Sequence, residues 1–454
     1  MNNPTTIVIF GATGDLFRKK LAFALYGLFA RGQMPKVFRV VAFSRRPWGH
    51  EEFRQFLSDT LREKSVDMPP ETLKNFLEHF LYVEGDLGNL ASYQKTAGLL
   101  GKLDSETGVC MNKLFYLATP PTSYEEILNH ISTSGLAIPC ATAKGISEVG
   151  PAPLEAEARF DASSALTGWT RILIEKPFGS DLKDALRLDR LLGELFSEAQ
   201  IFRIDHYLAK EVFQNLMTLR FSKSSLEHLW DRNHIDKVEI KLFEKDGVVN
   251  RGSFYDTLGA LRDVGQNHAL QMAALVGMEN PGKISSESVR QKRAEALQKF
   301  KVKGQALRGQ YEGYQNEAGV VPHSQTETYF KMELALSTPR FRSVPFTIEA
   351  GKGLSESKAE IIVYFKKVAD FVCPPGVRCE KDTVIFRAES PKSDKKLLDG
   401  YEKVLLDAIK GDQTLFTSTE EVIAEWNIVM PILAAWRKAA TPPLKYPKGT
   451  MPQV

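Results

Sequence analysis

The stretch IVIFGATGDLFRKKL, Ile7 to Leu21, passes from an apolar, β-branched run through two glycines into a segment of helical spacing. Thr6 to Phe10 reads as a buried parallel strand. Gly11 to Asp15 reads as a turn, and Leu21, Leu25, Leu28 and Phe29 as one face of the helix that follows. Val37 to Phe43 is the next strand, which completes a βαβ unit. GATGDL keeps two glycines of the dinucleotide fingerprint, Gly11 and Gly14, and lacks the third. These glycines permit a tight turn and a close backbone approach to a pyrophosphate at a helix N-terminus. Thr13 can add a hydroxyl. A plain strand-to-helix turn is the alternative.

Working outward, Lys113 to Ala118 and Thr170 to Ile174 read as later strands of the same sheet. Each ends in a proline-bearing loop, TPPT and EKPFG. Ligands of such sheets sit at the carboxyl ends of the strands. After Phe43 come Ser44, Arg45 and Arg46, and no acid appears before Glu51. An acid there would hold a ribose 2′-hydroxyl, whereas an arginine suits a 2′-phosphate and hence NADP, with a solvated strand-end loop as the alternative. Leu136 to Gly168 reads as a long loop. Beyond residue 205, Val238 to Phe243, Thr328 to Leu336, Phe346 to Ala350 and Glu360 to Phe365 read as strands of an antiparallel sheet. Ser285 to Lys301 reads as a charged helix, solvated on one face. The expected fold is an α/β Rossmann-type dinucleotide-binding domain over 1–204, then a larger β+α domain over 205–454 with a mostly antiparallel sheet.

At 454 residues the chain exceeds one ordinary core, which fits two domains. Basic and acidic residues number 59 and 56, giving a net charge of +3, too balanced to imply nucleic acid binding. No apolar run approaches the ~20 residues of a membrane span. The opening MNNPTTIVIFG has no basic region and enters a strand at once, unlike a signal peptide. The four cysteines, Cys110, Cys140, Cys373 and Cys379, form no CxxC pair and read as reduced thiols of a cytoplasmic protein.

Two further stretches carry chemistry. RIDHYLAKE, Arg203 to Glu211, gathers Asp205, His206, Tyr207 and Lys210. Read as a helix start, it puts His206 and Lys210 on one face with Tyr207 beside them. Imidazole, hydroxyl and ammonium donors suit a phosphate group; an exposed charged helix start is the alternative. ALRDVGQNHALQ reads as a helix in which Leu261, Val264, His268, Met272 and Leu275 share a face. His268 then stands on an otherwise apolar face. It is either a hydrogen-bonded core histidine or a general base oriented by a carboxylate.

With IVIFGATGDLFRKKL, these stretches resemble the glucose-6-phosphate dehydrogenase family. So do FYLATPPTSY at 115–124, EKPFGSDL at 175–182, RGSFYDTLGALRDVGQNHALQ at 251–271, VPFTIEAGKGL at 344–354 and GYEKVLLDAIKGD at 400–412. The resemblance implies NADP-dependent oxidation of glucose 6-phosphate, with His268 as base and Asp205 polarising it. It makes His206, Tyr207 and Lys210 phosphate ligands, Glu244 and Asp263 sugar-hydroxyl ligands, and Lys352 a substrate lysine. Lys176 would lie between substrate and nicotinamide. Gly11, Thr13, Gly14, Asp15 and Leu16 would meet the cofactor, with Arg45 on its 2′-phosphate. No metal is implied, and a homodimer is expected. Two positions depart from the family pattern: Ser357 where a basic residue is common, with Lys358 next to it, and Glu389 where a glutamine is common. The rivals are a sugar oxidoreductase acting on an unphosphorylated sugar and a sensor that binds without turnover. The first need not carry the His206, Tyr207, Lys210 cluster, and the second has no need of Asp205 with His268.

Overall fold

The computed structural model describes residues 3–63, 68–137, 168–221, 226–249, 251–366, 378–380, 382–388, 398–439 and 441–453. Almost all of the expected 136–168 loop, and Glu389, lie outside the described residues. The chain divides into two compact units. The first comprises Met1–Lys176, Arg187–Ile204 and Tyr401–Gln413. The second comprises Pro177–Leu186, Asp205–Gly400 and Thr414–Val454. A single cut at 204/205 misses two segments, 177–186 and 401–413, each of which lies with the opposite unit.

Six strands of the first unit are β1 (Thr5–Phe10), β2 (Phe38–Ser44), β3 (Phe80–Glu84), β4 (Asn112–Leu117), β5 (Thr170–Ile174) and β6 (Ile201–Ile204). All pair in parallel, in the order β6-β5-β4-β1-β2-β3. Every residue of β1 and β4 is buried, as a parallel sheet covered on both faces requires. Strand order reverses direction between β1 and β4, where such sheets open a crevice at their carboxyl ends. Gly11 occupies that point with φ of +85°. Its N–H and that of Ala12 both donate to the Phe43 carbonyl at the end of β2, at 3.0 and 3.2 Å. A Cβ on Gly11 would lie 2.6 Å from the Ala118 carbonyl oxygen just past β4, so only glycine fits. The helix after the loop opens with Asp15 and Leu16, widens into a π turn at Phe17–Leu21 and continues as the α-helix Ala22–Ala30. The apolar spacing reported the buried face and not that change of pitch.

The second unit holds an eight-stranded sheet. Seven strands are β7 (Ile235–Phe243), β8 (Phe300–Tyr311), β9 (Tyr329–Leu336), β10 (Pro345–Gly351), β11 (Lys358–Phe365), β12 (Arg378–Glu380) and β13 (Thr383–Arg387). Leu444–Tyr446 is the eighth, and the order is β12-β13-β11-β7-β10-β9-β8 followed by that short strand. The sheet is mostly antiparallel, but β7 and β10 run parallel and end side by side, with Phe243 opposite Gly351. The sequence reading missed β8, because FKVKGQALRGQY mixes charge and glycine and lies partly exposed.

The charged helix falls at Ser286–Lys299, and one charged residue is fully buried. Arg293 donates to Glu421 Oε1 at 2.7 Å, with both side chains out of solvent. Glu421 also completes the capping box of the long helix Thr419–Lys438, accepting from the Ser418 N–H at 2.7 Å. Among the described residues no helix is long and apolar enough to cross a membrane.

Gly11→Ala forces alanine into a left-handed conformation worth about 1–2 kcal/mol, with a backbone collision in addition. Urea unfolding of the variant should give a midpoint clearly below wild type. An unchanged midpoint would contradict the crowding at Gly11.

Candidate active site

Asp205 leaves β6 at the head of a turn, not of a helix. Its Oδ1 accepts the Tyr207 N–H at 2.8 Å and the Leu208 N–H at 3.3 Å. Lys210 N–H closes the turn on the Tyr207 carbonyl at 2.9 Å, and the helix begins only at Glu211. A short side-chain acceptor bonded to the next N–H groups in this way sets an Asx-type turn, and the regular helix starts only after it. This corrects the helix-start reading, yet the turn still clusters the side chains. The Tyr207 ring stands 4.3 Å from the His268 ring, and His206 4.7 Å from it, centre to centre. The Lys210 ammonium sits 3.8 Å above the Tyr207 ring.

His268 comes from a second irregular segment. Gly252–Ala260 is helical up to a kink at Gly259, whose φ/ψ are non-helical, Leu261–Ala269 is a π-helix, and Leu270–Gly277 returns to α pitch. π segments gather at functional sites because they re-aim side chains within a rigid rod. Here the widening is stabilised locally. Asn267 Nδ2 donates to the Arg262 and Asp263 carbonyls at 3.3 and 3.1 Å. The buried Glu327 carboxylate accepts the Leu261 N–H at 3.0 Å. Gly259 has φ of +76°, and a Cβ there would lie 2.4 Å from Glu327 Oε1. The apolar-face reading of this helix is also corrected. Gln266, Asn267, His268 and Gln271 are all buried beside the apolar positions, so the segment needs internal polar partners. Glu425 is one of them, accepting from Gln271 at 2.7 Å and Gln266 at 3.2 Å.

Asp205 Oδ1 meets His268 Nδ1 at 2.6 Å, with both side chains almost wholly buried. Burial alone would raise the Asp205 pKa. The charge and hydrogen bond of His268, then His206 and the Tyr207 N–H, outweigh it and hold the carboxyl well below its ordinary range. Tyr207 is pushed up, first by burial and then by Glu244, Asp205 and Asp263, so it stays a hydroxyl donor near neutrality. At the adjacent carboxyl ends of β7 and β10, Lys352 pairs with Glu244 at 2.6 Å and with Asp263 at 3.6 Å. The second unit therefore brings together Asp205, His206, Tyr207, Lys210 and His268, and also Glu244, Asp263 and Lys352. Of the departures, Ser357 Oγ accepts the Lys245 N–H at 2.9 Å, and Lys358 pairs with Glu356 and Glu360.

In the first unit, Gly11, Thr13 and Gly14 form the loop above β1, with Asp15 and Leu16 the first helical residues. Thr13 Oγ1 lies 2.6 Å from Ser44 Oγ, and exposed Asp15 pairs with Lys19 at 2.7 Å. Arg45 is exposed directly after β2, the neighbour of β1. These features fit a dinucleotide: a glycine cradle that a Cβ would fill, and a guanidinium at the adjacent strand end. Lys176 lies two residues beyond β5. Glu175 before it is held by the Tyr116 hydroxyl at 2.6 Å and, through its carbonyl, by the Tyr124 hydroxyl at 3.0 Å. Glu327, Asn267 and Glu425 escaped the sequence reading, since each works through tertiary partners that no local pattern reports.

A parallel-sheet dinucleotide unit and a β+α unit carrying a buried histidine–aspartate pair define a nicotinamide-dependent oxidoreductase. The family described as glucose-6-phosphate dehydrogenase, NAD binding domain, matches residues 8–215, and its C-terminal domain matches 217–393 and 375–453. The chain belongs to the glucose-6-phosphate dehydrogenase family. It is 32% identical to glucose-6-phosphate 1-dehydrogenase of Chlamydia muridarum, over 96% of this chain and 91% of that protein. It is 34% identical to that of Borreliella burgdorferi, over 95% and 91%. A solved glucose-6-phosphate dehydrogenase in complex with its substrate glucose-6-phosphate superposes with a TM-score of 0.83 at 27% identity, covering 100% of this chain and 96% of that one.

Burial raises the Glu327 carboxyl from 4.5 to about 6, against the opposing hydrogen bond from Leu261. Between those values the folded protein keeps a proton that the unfolded chain has lost. Its contribution is therefore fully present below about pH 4.5 and declines as pH rises to about 6, by about 2 kcal/mol. Glu327→Gln should remove that decline from a series of urea midpoints across the window. Parallel wild-type and variant curves would show that Glu327 titrates normally.

Proposed function

We propose that His268 is the general base for this chain's reaction and that Asp205 is its positioning partner. The reaction is oxidation of β-D-glucose 6-phosphate at C1 to 6-phospho-D-glucono-1,5-lactone, the first step of the oxidative pentose phosphate pathway, with NADP reduced. The observation that carries the assignment is the 2.6 Å Asp205–His268 hydrogen bond with His206, Tyr207 and Lys210 gathered beside it. Asp205 holds Nδ1, which leaves Nε2 to take the C1-hydroxyl proton. The aspartate then stabilises the imidazolium that forms. When bound, NADP supplies the acceptor for the hydride that leaves C1.

His206, the Tyr207 hydroxyl and the Lys210 ammonium bind the 6-phosphate. Glu244 and Asp263 accept from sugar hydroxyls, and Lys352 binds the sugar while neutralising both carboxylates. Gly11, Thr13, Gly14, Asp15 and Leu16 cradle the cofactor, and Arg45 takes its 2′-phosphate with a planar fork of donors. Lys176 contributes to both ligands, an assignment supported by the family pattern alone. A homodimer is proposed on the same ground. A cytoplasmic location is supported by the cysteine usage and by a cytoplasmic Arabidopsis thaliana relative.

The experiment is growth of NADPH absorbance with glucose 6-phosphate, with glucose and without sugar. Signal with the phosphorylated sugar alone is expected, and equal rates on both sugars would overturn the substrate. His268→Asn should keep substrate binding and lose at least ~10²-fold in kcat, the ordinary weight of a general base. Turnover near wild type at pH 7 would remove His268 from the mechanism. Lys210→Ala gives up a charge-assisted bond of ~1.5–3 kcal/mol, so KM for glucose 6-phosphate should rise roughly ten- to a hundredfold. An unchanged KM would mean that Lys210 does not read the phosphate.

A further inference from the structure

Arg262 and Asp263 are neighbours on the π segment, and consecutive helical residues diverge around the rod. Asp263 turns to Lys352, and Arg262 lines a separate cavity of about 530 Å³ in the second unit. Arg308 and Arg437 line the same cavity, and Glu327 is the one carboxylate among the described lining residues. Its Oε1 is already engaged by the Leu261 N–H, and three guanidiniums against one acid leave the wall positive.

The donors are not exhausted. Arg262 Nη1 serves the Thr257 and Leu258 carbonyls at 2.8 and 3.0 Å. Its Nε is buried and has no hydrogen-bond partner among the described residues. A buried donor in that state costs about 1–3 kcal/mol unless a ligand or water satisfies it. Arg308 commits Nη2 to the Thr441 carbonyl at 2.9 Å, and Arg437 is exposed at the rim. The rest of the wall mixes polar Gln325, Thr326 and Thr441 with an apolar part. Leu258, Leu433 and Pro442 stand beside the Trp436 indole, whose N–H is anchored on the Ala306 carbonyl at 3.0 Å. The volume falls within the roughly 300–1,000 Å³ of small-molecule sites, well beyond the needs of a bare inorganic ion.

The geometry points to a second ligand site: a pocket formed by Arg262, Arg308, Arg437 and Trp436 that binds a small organic anion, its phosphate or carboxylate on the guanidiniums and a flat body against the indole. Guanidinium forks match either head group bidentately. None of these four residues belongs to the substrate cluster, so the site is chemically independent of glucose 6-phosphate.

The test is isothermal titration of the full-length enzyme, saturated with NADP, using AMP for a phosphate head, phthalate for a carboxylate head and inorganic phosphate for a head without a body. At least one organic probe should bind saturably, at least about tenfold tighter than inorganic phosphate. Arg308→Ala/Arg437→Ala should weaken that binding at least about tenfold, the weight of one charge-assisted bond, while kcat and KM for glucose 6-phosphate stay at wild-type values. An absence of saturable heat with both organic probes would overturn the site. So would isotherms that the double substitution leaves unchanged, since binding would then lie elsewhere.

Discussion

The carboxylate of Asp205 is buried at the junction of a strand and a turn, and it is stable there only because it is fully engaged on one oxygen. Three donors converge on Oδ1: His268 Nδ1 and the N–H groups of Tyr207 and Leu208. A buried charge without such partners is expensive, and removing one member of a buried pair costs about 3–5 kcal/mol. The backbone donors shape the turn that presents His206, Tyr207 and Lys210. The imidazole contact fixes the ring and its tautomer, because Nδ1 must carry the proton that Asp205 accepts. One carboxylate thus joins the His206, Tyr207 and Lys210 cluster to the His268 imidazole.

His268 reaches that carboxylate from a helical run that is kinked at Gly259, widens into a π segment and returns to α pitch. Glu327 and Gly259 stabilise the entry to the π segment, Asn267 fills its widened carbonyls, and Arg220 ties the far end by donating to the Leu275, Val276 and Met278 carbonyls at 2.7–2.9 Å. Gln266, Asn267 and His268 of this segment are buried, and protein groups hold them in place of water. The result is an imidazole with little freedom to move, which is what the proposed removal of one hydroxyl proton requires.

Much of this was legible in the chain. β1, β2, β4 and β5 were read within a residue or two, because buried parallel strands are short unbroken apolar runs between glycine- and proline-bearing loops. The residues that the second unit gathers around His268 and Lys352 were named from the sequence because motifs of high specificity carry them. What failed was local geometry set by tertiary partners. RIDHYLAKE has helix-compatible spacing, yet the residues after Asp205 form a turn and the helix starts only at Glu211. RDVGQNH keeps a three-and-four apolar spacing, yet Glu327 and Asn267 hold it in a wider turn. β8 was missed since FKVKGQALRGQY alternates weakly, and the burial of Arg293 was missed since nothing within its helix announces Glu421.

The account rests on Asp205 acting through His268, and the pH dependence of kcat/KM for glucose 6-phosphate in wild type and Asp205→Asn tests it most directly. Protonation of the base should give wild type a limb of falling activity on the acid side. The carboxylate stabilises the imidazolium, so its removal should move that limb to lower pH and lower the plateau as well. A variant whose plateau falls while the acid limb stays at its wild-type position would contradict the pairing, and would leave Asp205 with a purely structural part.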